Sequence, residues 1–89
     1  MTVKRHVIVH GQVQGVFFRD SMRRLAQQHG VSGWVTNRPD GAVEAVLEGD
    51  EDAVERLVAF ARKGPRGAQV ESVEIATEEP EGSTGFSVR

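Results

Sequence analysis

Residues 11–19 read Gly11-Gln12-Val13-Gln14-Gly15-Val16-Phe17-Phe18-Arg19, and here the hydrophobic pattern changes from that of a strand to that of a helix. The preceding segment is rich in valine and isoleucine, β-branched residues that favour a sheet, and it predicts a strand ending at Gly11. The following segment places its apolar residues on one helical face, at Phe18, Met22, Leu25 and Ala26. The stretch therefore predicts a strand, a glycine-bracketed loop and a helix in direct succession.

The glycine-bracketed loop has the components of a phosphate site. Glycine adopts positive φ without a Cβ clash, so the loop can turn its N–H groups inward. A helix N-terminus adds unpaired N–H donors and the positive end of the helix dipole. Arg19 adds a forked, permanently charged donor that matches phosphate oxygens. We therefore predict a phosphate site, although such turns also join strands to helices in proteins that bind nothing there.

The predicted helix has no polar cap immediately before it. Ser, Thr, Asp or Asn normally satisfies the first N–H groups of a helix, whereas Gly15, Val16 and Phe17 occupy the candidate cap positions here. A bound anion would satisfy the same groups. Asp20 and Ser21 lie within the first turn and offer an alternative as late caps.

The remaining elements follow from turn and cap signals. Arg38-Pro39-Asp40-Gly41 is a hairpin turn between predicted strands 32–37 and 42–48. Asp50 is the expected N-cap of a second helix that Gly64-Pro65 ends. Strands are also predicted at 70–77 and 86–89. The order β-α-β-β-α-β predicts an α+β, ferredoxin-like α/β sandwich, with two helices on one face of an antiparallel sheet of four to five strands. Residues 1–89 are expected to form a single domain.

Composition excludes several classes of function. The 89 residues carry a formal net charge of −2 and no cysteine, which rules out thiol catalysis, disulfides and Cys-based metal sites. The acidic balance argues against general nucleic-acid binding. No segment has the pattern of a signal peptide or membrane span, so a cytoplasmic location with no membrane partner is expected.

The histidines and the paired phenylalanines have structural interpretations. His6 and His10 share a strand face but have no metal-ligand spacing and no evident partners, so we expect surface residues and no metal site. Of the adjacent Phe17 and Phe18, one should face the core and the other the rim of the pocket. Trp34 is expected to pack on the sheet rather than to stack on a nucleobase.

Two separated motifs resemble the signatures of the acylphosphatase family. The first is Gly11-x-Val13-Gln14-Gly15-Val16-x-Phe18-Arg19 and the second is Gly33-Trp34-Val35-x-Asn37-x-x-Asp40-Gly41. Chain length, element order and the final Gly85-Phe86-Ser87-Val88-Arg89 fit as well, so the resemblance covers essentially the whole chain.

The resemblance implies an activity and a set of residues. Family members hydrolyse acyl phosphates to a carboxylate and inorganic phosphate, with no metal, no other cofactor and no covalent intermediate. It assigns phosphate binding to Arg19 and orientation of the attacking water to Asn37, a residue that alone is typical of a turn. It assigns the phosphate cradle to the backbone of Gln14, Gly15, Val16, Phe17, Phe18 and Arg19.

The expected protein is thus a monomeric, metal-independent hydrolase whose partner is a small acyl phosphate. Gln69 stands where relatives often have arginine, which affects stability or substrate preference rather than the chemistry. A non-catalytic anion-binding regulatory module with the same cradle is the alternative. RNA binding through the sheet is disfavoured because no strand carries an aromatic pair with a basic surround.

Overall fold

The computed structural model describes residues 1–89. Its elements, in chain order, are β1 (Thr2–Gln12), α1 (Phe18–His29), β2 (Ser32–Asn37), β3 (Val43–Asp50), α2 (Glu51–Lys63), β4 (Gln69–Glu78) and β5 (Phe86–Val88). The strands form one sheet in the order β4-β1-β3-β2-β5. The predicted ferredoxin-like arrangement is confirmed, including the short final strand.

The sheet is mixed, which refines the expectation of an antiparallel sheet. β1 pairs antiparallel with β3 and β4, and β2 pairs antiparallel with β3. β5 instead pairs parallel to β2, with Phe86 opposite Gly33. The chain leaves β4 at one edge and reaches β5 at the other, so residues 79–85 must cross the sheet. After the crossing, β5 runs in the same direction as β2.

The hydrophobic core lies between the sheet and the two helices. α1 contributes Phe18, Met22 and Ala26, all at most 2% exposed, which confirms the predicted helical spacing. Phe18 packs edge-on against Phe60 of α2, with ring centroids 5.5 Å apart. Full burial of a side chain of this size contributes about 1.5–3 kcal/mol. The core therefore fixes the start of α1, where Phe18 is the first helical residue.

Gly11 has a structural role that differs from the one predicted. β1 continues to Gln12, and Gly11 sits at a register shift where β1 pairs with β4. Its φ is +129°, and a Cβ there would collide with the backbone carbonyl of Gln69. The absence of a side chain thus permits close strand pairing. Gly15 alone provides the loop with a glycine at positive φ, +76°.

The second helix begins where the sequence predicts, but its cap is different. Asp50 occupies the N-cap position without a side-chain capping hydrogen bond. The backbone carbonyl of Met1 accepts a 3.0 Å hydrogen bond from the N–H of Glu51. The Asp50 carboxylate lies 3.4 Å from the N-terminal ammonium of Met1. The Met1 carbonyl therefore satisfies the N–H of the first residue of α2, a different group from the second or third N–H that an Asp50 side-chain cap would have bound.

Residues 79–85 are anchored across the sheet by the buried carboxylate of Glu48. It accepts backbone hydrogen bonds from Glu81 (3.1 Å), Gly82 (2.7 Å) and Ser83 (3.2 Å). Burial raises the pKa of Glu48, but the N–H donors together lower it by more, so the pKa lies below the usual 4.5. These bonds hold residues 81–83 of the crossing segment to β3.

On the face of the sheet that the helices do not cover, each histidine of β1 contacts a glutamate of a neighbouring strand. His6 lies 2.6 Å from Glu44, and His10 contacts Glu74. The expectation that these histidines lack partners is therefore wrong, because the partners come from the neighbouring strands β3 and β4.

No group of three or more His, Asp or Glu side chains has an arrangement that could hold a metal. Neither helix is long and apolar enough to cross a membrane.

Candidate active site

One cavity of about 430 Å³ opens where the loop between β1 and α1 meets the end of β2. The structure brings Arg19 and Asn37, 18 positions apart in the sequence, into the same wall. Gln14 and Val16, both predicted to belong to the cradle, do not line it. The lining residues are Val13, Gly15, Phe17, Phe18, Arg19, Asp20, Arg23, Asn37 and Val88.

The backbone N–H groups of residues 14–19 have no acceptor within the protein. None donates in the nine backbone hydrogen bonds that lie outside the helices and strands, and none donates to a side chain. Helix N-termini normally receive a capping side chain, yet the N-cap residue Phe17 makes no side-chain capping bond. Asp20 does not cap the helix either, since its carboxylate binds Arg23 and Arg24. The segment thus presents a row of free donors at the positive end of α1.

Phe17 has an unusual backbone conformation at this point. Its φ of 61° makes it the one non-glycine residue with positive φ in the chain. An L-residue in this region costs about 1–2 kcal/mol, and such strain concentrates at functional sites. The side chain is 80% exposed at the cavity rim, whereas Phe18 is 2% exposed in the core. The predicted division between the two phenylalanines is confirmed.

Arg19 lies in the first turn of α1, half-buried, with part of its guanidinium engaged. Its Nη1 donates a 3.0 Å hydrogen bond to the backbone carbonyl of Arg89. Its other N–H groups form no hydrogen bond with the protein. The hydrogen bond of Nη1 fixes the position of the guanidinium, and its remaining N–H groups are free to bind an anion in the cavity.

Asn37 is the last residue of β2, and it lines the cavity from a different element than Arg19 does. No hydrogen bond from the protein reaches its carboxamide, and the Thr36 hydroxyl, at 3.5 Å, contacts only its backbone carbonyl. The carboxamide therefore keeps both a donor and an acceptor for a ligand or a water molecule. Its place in the cavity wall distinguishes it from an ordinary turn residue.

Asp20 and Arg23 belong to the cavity although the sequence interpretation did not assign them there. Arg23 donates a 2.7 Å hydrogen bond to Asp20, and Arg24 lies 3.0 Å from the same carboxylate. The hydrogen bond from Arg23 is the largest influence on the pKa of Asp20, which is lowered despite the opposing effect of burial. The sequence does indicate this ion pair, because residues three apart on a helix, such as Asp20 and Arg23, lie next to each other.

The sequence also did not predict a place in the site for Val88 or a role for the side chain of Gln14. Val88 enters the wall through the parallel pairing of β5 with β2. Gln14 donates through its side-chain amide to the backbone carbonyls of Arg38 (2.8 Å) and Ala42 (3.0 Å). No local sequence signal pairs residues 24 and 28 positions apart.

Known proteins provide an independent comparison. The profile of the acylphosphatase family matches residues 5–88. An acylphosphatase of Thermococcus kodakarensis is 55% identical over 86 residues, covering 97% of this chain and 94% of the relative. One of Gloeobacter violaceus is also 55% identical, covering 97% of this chain and 92% of the relative. The solved structure of an acylphosphatase from Coxiella burnetii superposes with a TM-score of 0.93 at 39% identity, covering 99% and 93% of the two chains.

Proposed function

The chain belongs to the acylphosphatase family and hydrolyses acyl phosphates to a carboxylate and inorganic phosphate, and we propose that the cavity between α1 and β2 carries out this reaction. In this proposal Arg19 and the backbone of residues 14–19 bind the phosphoryl group. Asn37 orients the water that attacks phosphorus. The observation that carries it is that Gly15, Phe17, Phe18 and Arg19, whose backbone N–H groups are unpaired, line one cavity together with Asn37, whose carboxamide is free.

The phosphoryl group would be held chiefly by donor groups that are already oriented before the substrate binds. Preorganised N–H donors and a guanidinium stabilise charge on the transferring group more effectively than water does, because they are already oriented. Removal of one such donor in other enzymes reduces turnover by about 100- to 1000-fold. The segment 14–19 supplies these groups from consecutive residues. The cradle is therefore built into the local chain conformation.

The attacking water needs orientation more than it needs a base. Asn37 offers one acceptor and one donor, which fix both the position and the direction of a bound water. As the water oxygen bonds to phosphorus, the bond from phosphorus to the acyl oxygen breaks, and its electron pair leaves with the carboxylate. The proton of the water passes to a phosphate oxygen. The carboxylate is a good leaving group, so no general acid is required.

The position of bond cleavage tests this chemistry. Benzoyl phosphate is hydrolysed by the purified protein in water enriched in the heavy oxygen isotope, and both products are analysed by mass spectrometry. Attack at phosphorus places one heavy oxygen in inorganic phosphate and none in benzoate. Label in benzoate would show attack at the carbonyl carbon and contradict the proposed role of the cavity.

The non-catalytic anion-binding module is not favoured. The relatives that are 55% identical over nearly the whole chain are acylphosphatases. Failure of the protein to hydrolyse benzoyl phosphate while it still binds inorganic phosphate would revive that alternative.

Three further features belong to the same proposal. Residues 1–89 constitute a single acylphosphatase-like domain, as the family match to residues 5–88 supports. In this proposal the protein works as a monomer and acts in the cytoplasm. Sedimentation at micromolar concentration tests the monomer directly.

A further inference from the structure

The side chain of Gln14 joins the two halves of the candidate active site. Gln14 is the first residue of the unpaired segment 14–19, and its side-chain nitrogen bonds the carbonyls of Arg38 at 2.8 Å and Ala42 at 3.0 Å. These two residues are the ends of the turn that directly follows Asn37. One carboxamide thus connects the phosphate-binding segment to the turn beside the water-orienting residue.

The geometry of the turn makes this connection specific. The Arg38 carbonyl also accepts from the N–H of Gly41 at 3.1 Å, and the Ala42 carbonyl also accepts from the N–H of Arg38 at 2.8 Å. A carbonyl oxygen has two lone pairs, so Gln14 fills the second site on each. Both partners are acceptors, which means that only the amide nitrogen of Gln14 can face them.

The turn is also held from within, by Asp40. Its carboxylate accepts a 3.1 Å hydrogen bond from the N–H of Ala42 and a 2.9 Å bond from the guanidinium of Arg38. The internal bonds fix the shape of residues 38–42 but not their distance from the loop before α1. Among the side-chain hydrogen bonds, those of Gln14 are the ones that join this turn to that loop.

We infer that Gln14 is a positioning residue, which sets the distance between the bound phosphate and the water on Asn37. The inference depends on the roles proposed above for the cradle and for Asn37. All phosphate-binding groups lie on segment 14–19, so the cradle can move as a unit without losing affinity for phosphate. The distance from water to phosphorus, by contrast, changes with any such movement. Loss of the Gln14 bonds should therefore lower kcat and spare phosphate binding.

The test is a double-mutant cycle with Gln14→Met and Asn37→Ala. Methionine keeps the length of the side chain but removes the amide donor, and Gln14 is exposed, so the core is undisturbed. For Gln14→Met we expect kcat for benzoyl phosphate to fall about 10- to 100-fold, the scale of a misplacement near 1 Å. The inhibition constant of inorganic phosphate should stay within about threefold, because the cradle itself is intact.

The coupling decides whether Gln14 acts through Asn37. Once Asn37 is alanine there is no oriented water to misplace, so adding Gln14→Met should change the residual rate less than about threefold. Gln28→Met is the matched control, since Gln28 is exposed on α1 and makes no side-chain hydrogen bond. Urea unfolding of each variant verifies that the assays use folded protein. Gln14→Glu, which also lacks the amide donor at neutral pH, repeats the test if Gln14→Met does not fold.

Each other outcome overturns a distinct statement. Unchanged kcat in Gln14→Met, or the same loss with and without Asn37, removes the positioning role and leaves the proposed function intact. A weakened phosphate inhibition constant with normal kcat assigns Gln14 to the cradle alone and also removes that role. Full turnover in Asn37→Ala rejects the water-orienting step itself and, with it, the inference about Gln14.

Discussion

The guanidinium of Arg19 and the backbone carbonyl of Arg89 form a 3.0 Å hydrogen bond that links the start of α1 to the end of β5. The Thr36 hydroxyl donates to the same carbonyl at 3.2 Å, and the N–H of Arg89 donates to Val35 at 2.8 Å. The carbonyl is thereby fixed to β2. Arg19 uses Nη1 for this hydrogen bond, and the other N–H groups of its guanidinium remain available to a ligand.

Arg19→Lys separates charge from geometry. Lysine retains the positive charge but has a single ammonium, which cannot hold the Arg89 carbonyl and bracket a phosphate at once. We expect kcat/KM for benzoyl phosphate to fall at least about 100-fold, with the far-ultraviolet circular dichroism spectrum unchanged. Arg62→Lys, on an exposed turn at the end of α2, is the control. Near-normal turnover of Arg19→Lys would show that Arg19 is not the phosphate ligand.

Metal chelation should have no effect on the reaction. The proposed charge stabilisation comes from backbone N–H groups and Arg19 rather than from a cation. We expect the same hydrolysis rate before and after exhaustive dialysis against EDTA. The measurement includes re-addition of Mg²⁺, Mn²⁺ and Zn²⁺ to the dialysed protein. Inactivation that one of these ions reverses would contradict the mechanism.

Phe17→Gly should reveal the strain at the start of α1. Glycine adopts positive φ without the Cβ clash, although it also gains freedom in the unfolded chain. Since Phe17 is 80% exposed, its removal loses little packing. We expect Phe17→Gly to be more stable than Phe17→Ala by about 1 kcal/mol in urea unfolding. An alanine variant as stable as the glycine variant would mean that φ at residue 17 is not strained.

Local signals in the sequence account for most of the fold. The spacing of Phe18 and Met22, the Asp40-Gly41 turn and the Gly64-Pro65 stop each act within a few residues, and each element is present with bounds close to those predicted. The direction of β5 could not be predicted in this way. The segment that leads into β5 is held by Glu48 of β3, which binds backbone N–H groups more than 30 positions away in the sequence.

The same distinction applies to the candidate site. Gly15 and Arg19 stand on one continuous segment, so their proximity is a consequence of the chain itself. Asn37 was assigned by family resemblance, and in the structure it lines the same cavity as Arg19. The partners of Gln14 were beyond prediction, because a glutamine side chain in a loop gives no indication of which distant carbonyls it will meet.

Acid should weaken the anchor formed by Glu48. The pKa of this carboxyl is lower in the folded protein than its usual 4.5, so ionised Glu48 stabilises the fold above that value. The contribution is lost as the pH falls from 4.5 through the lower folded-state pKa. Glu48→Gln should be less stable than wild type at pH 7, and the difference should narrow towards pH 3. Melting temperatures across this range, with exposed Glu71→Gln as control, would contradict the assignment if the difference stayed constant.

Asn37→Ala should separate phosphate binding from turnover. Inorganic phosphate binds the folded protein through Arg19 and segment 14–19, so it should raise the melting temperature of wild type and variant alike by mass action.

Turnover should respond differently, because the partner of Asn37 is the attacking water rather than the phosphate. We expect kcat of Asn37→Ala to fall by at least about 100-fold while KM and the phosphate-dependent shift in melting temperature persist, as for an interaction made in the transition state. The measurement pairs a melting titration with a hydrolysis titration, both against inorganic phosphate, for wild type and Asn37→Ala. Equal loss of binding and turnover would place Asn37 among the phosphate ligands. Unchanged turnover would remove it from the mechanism.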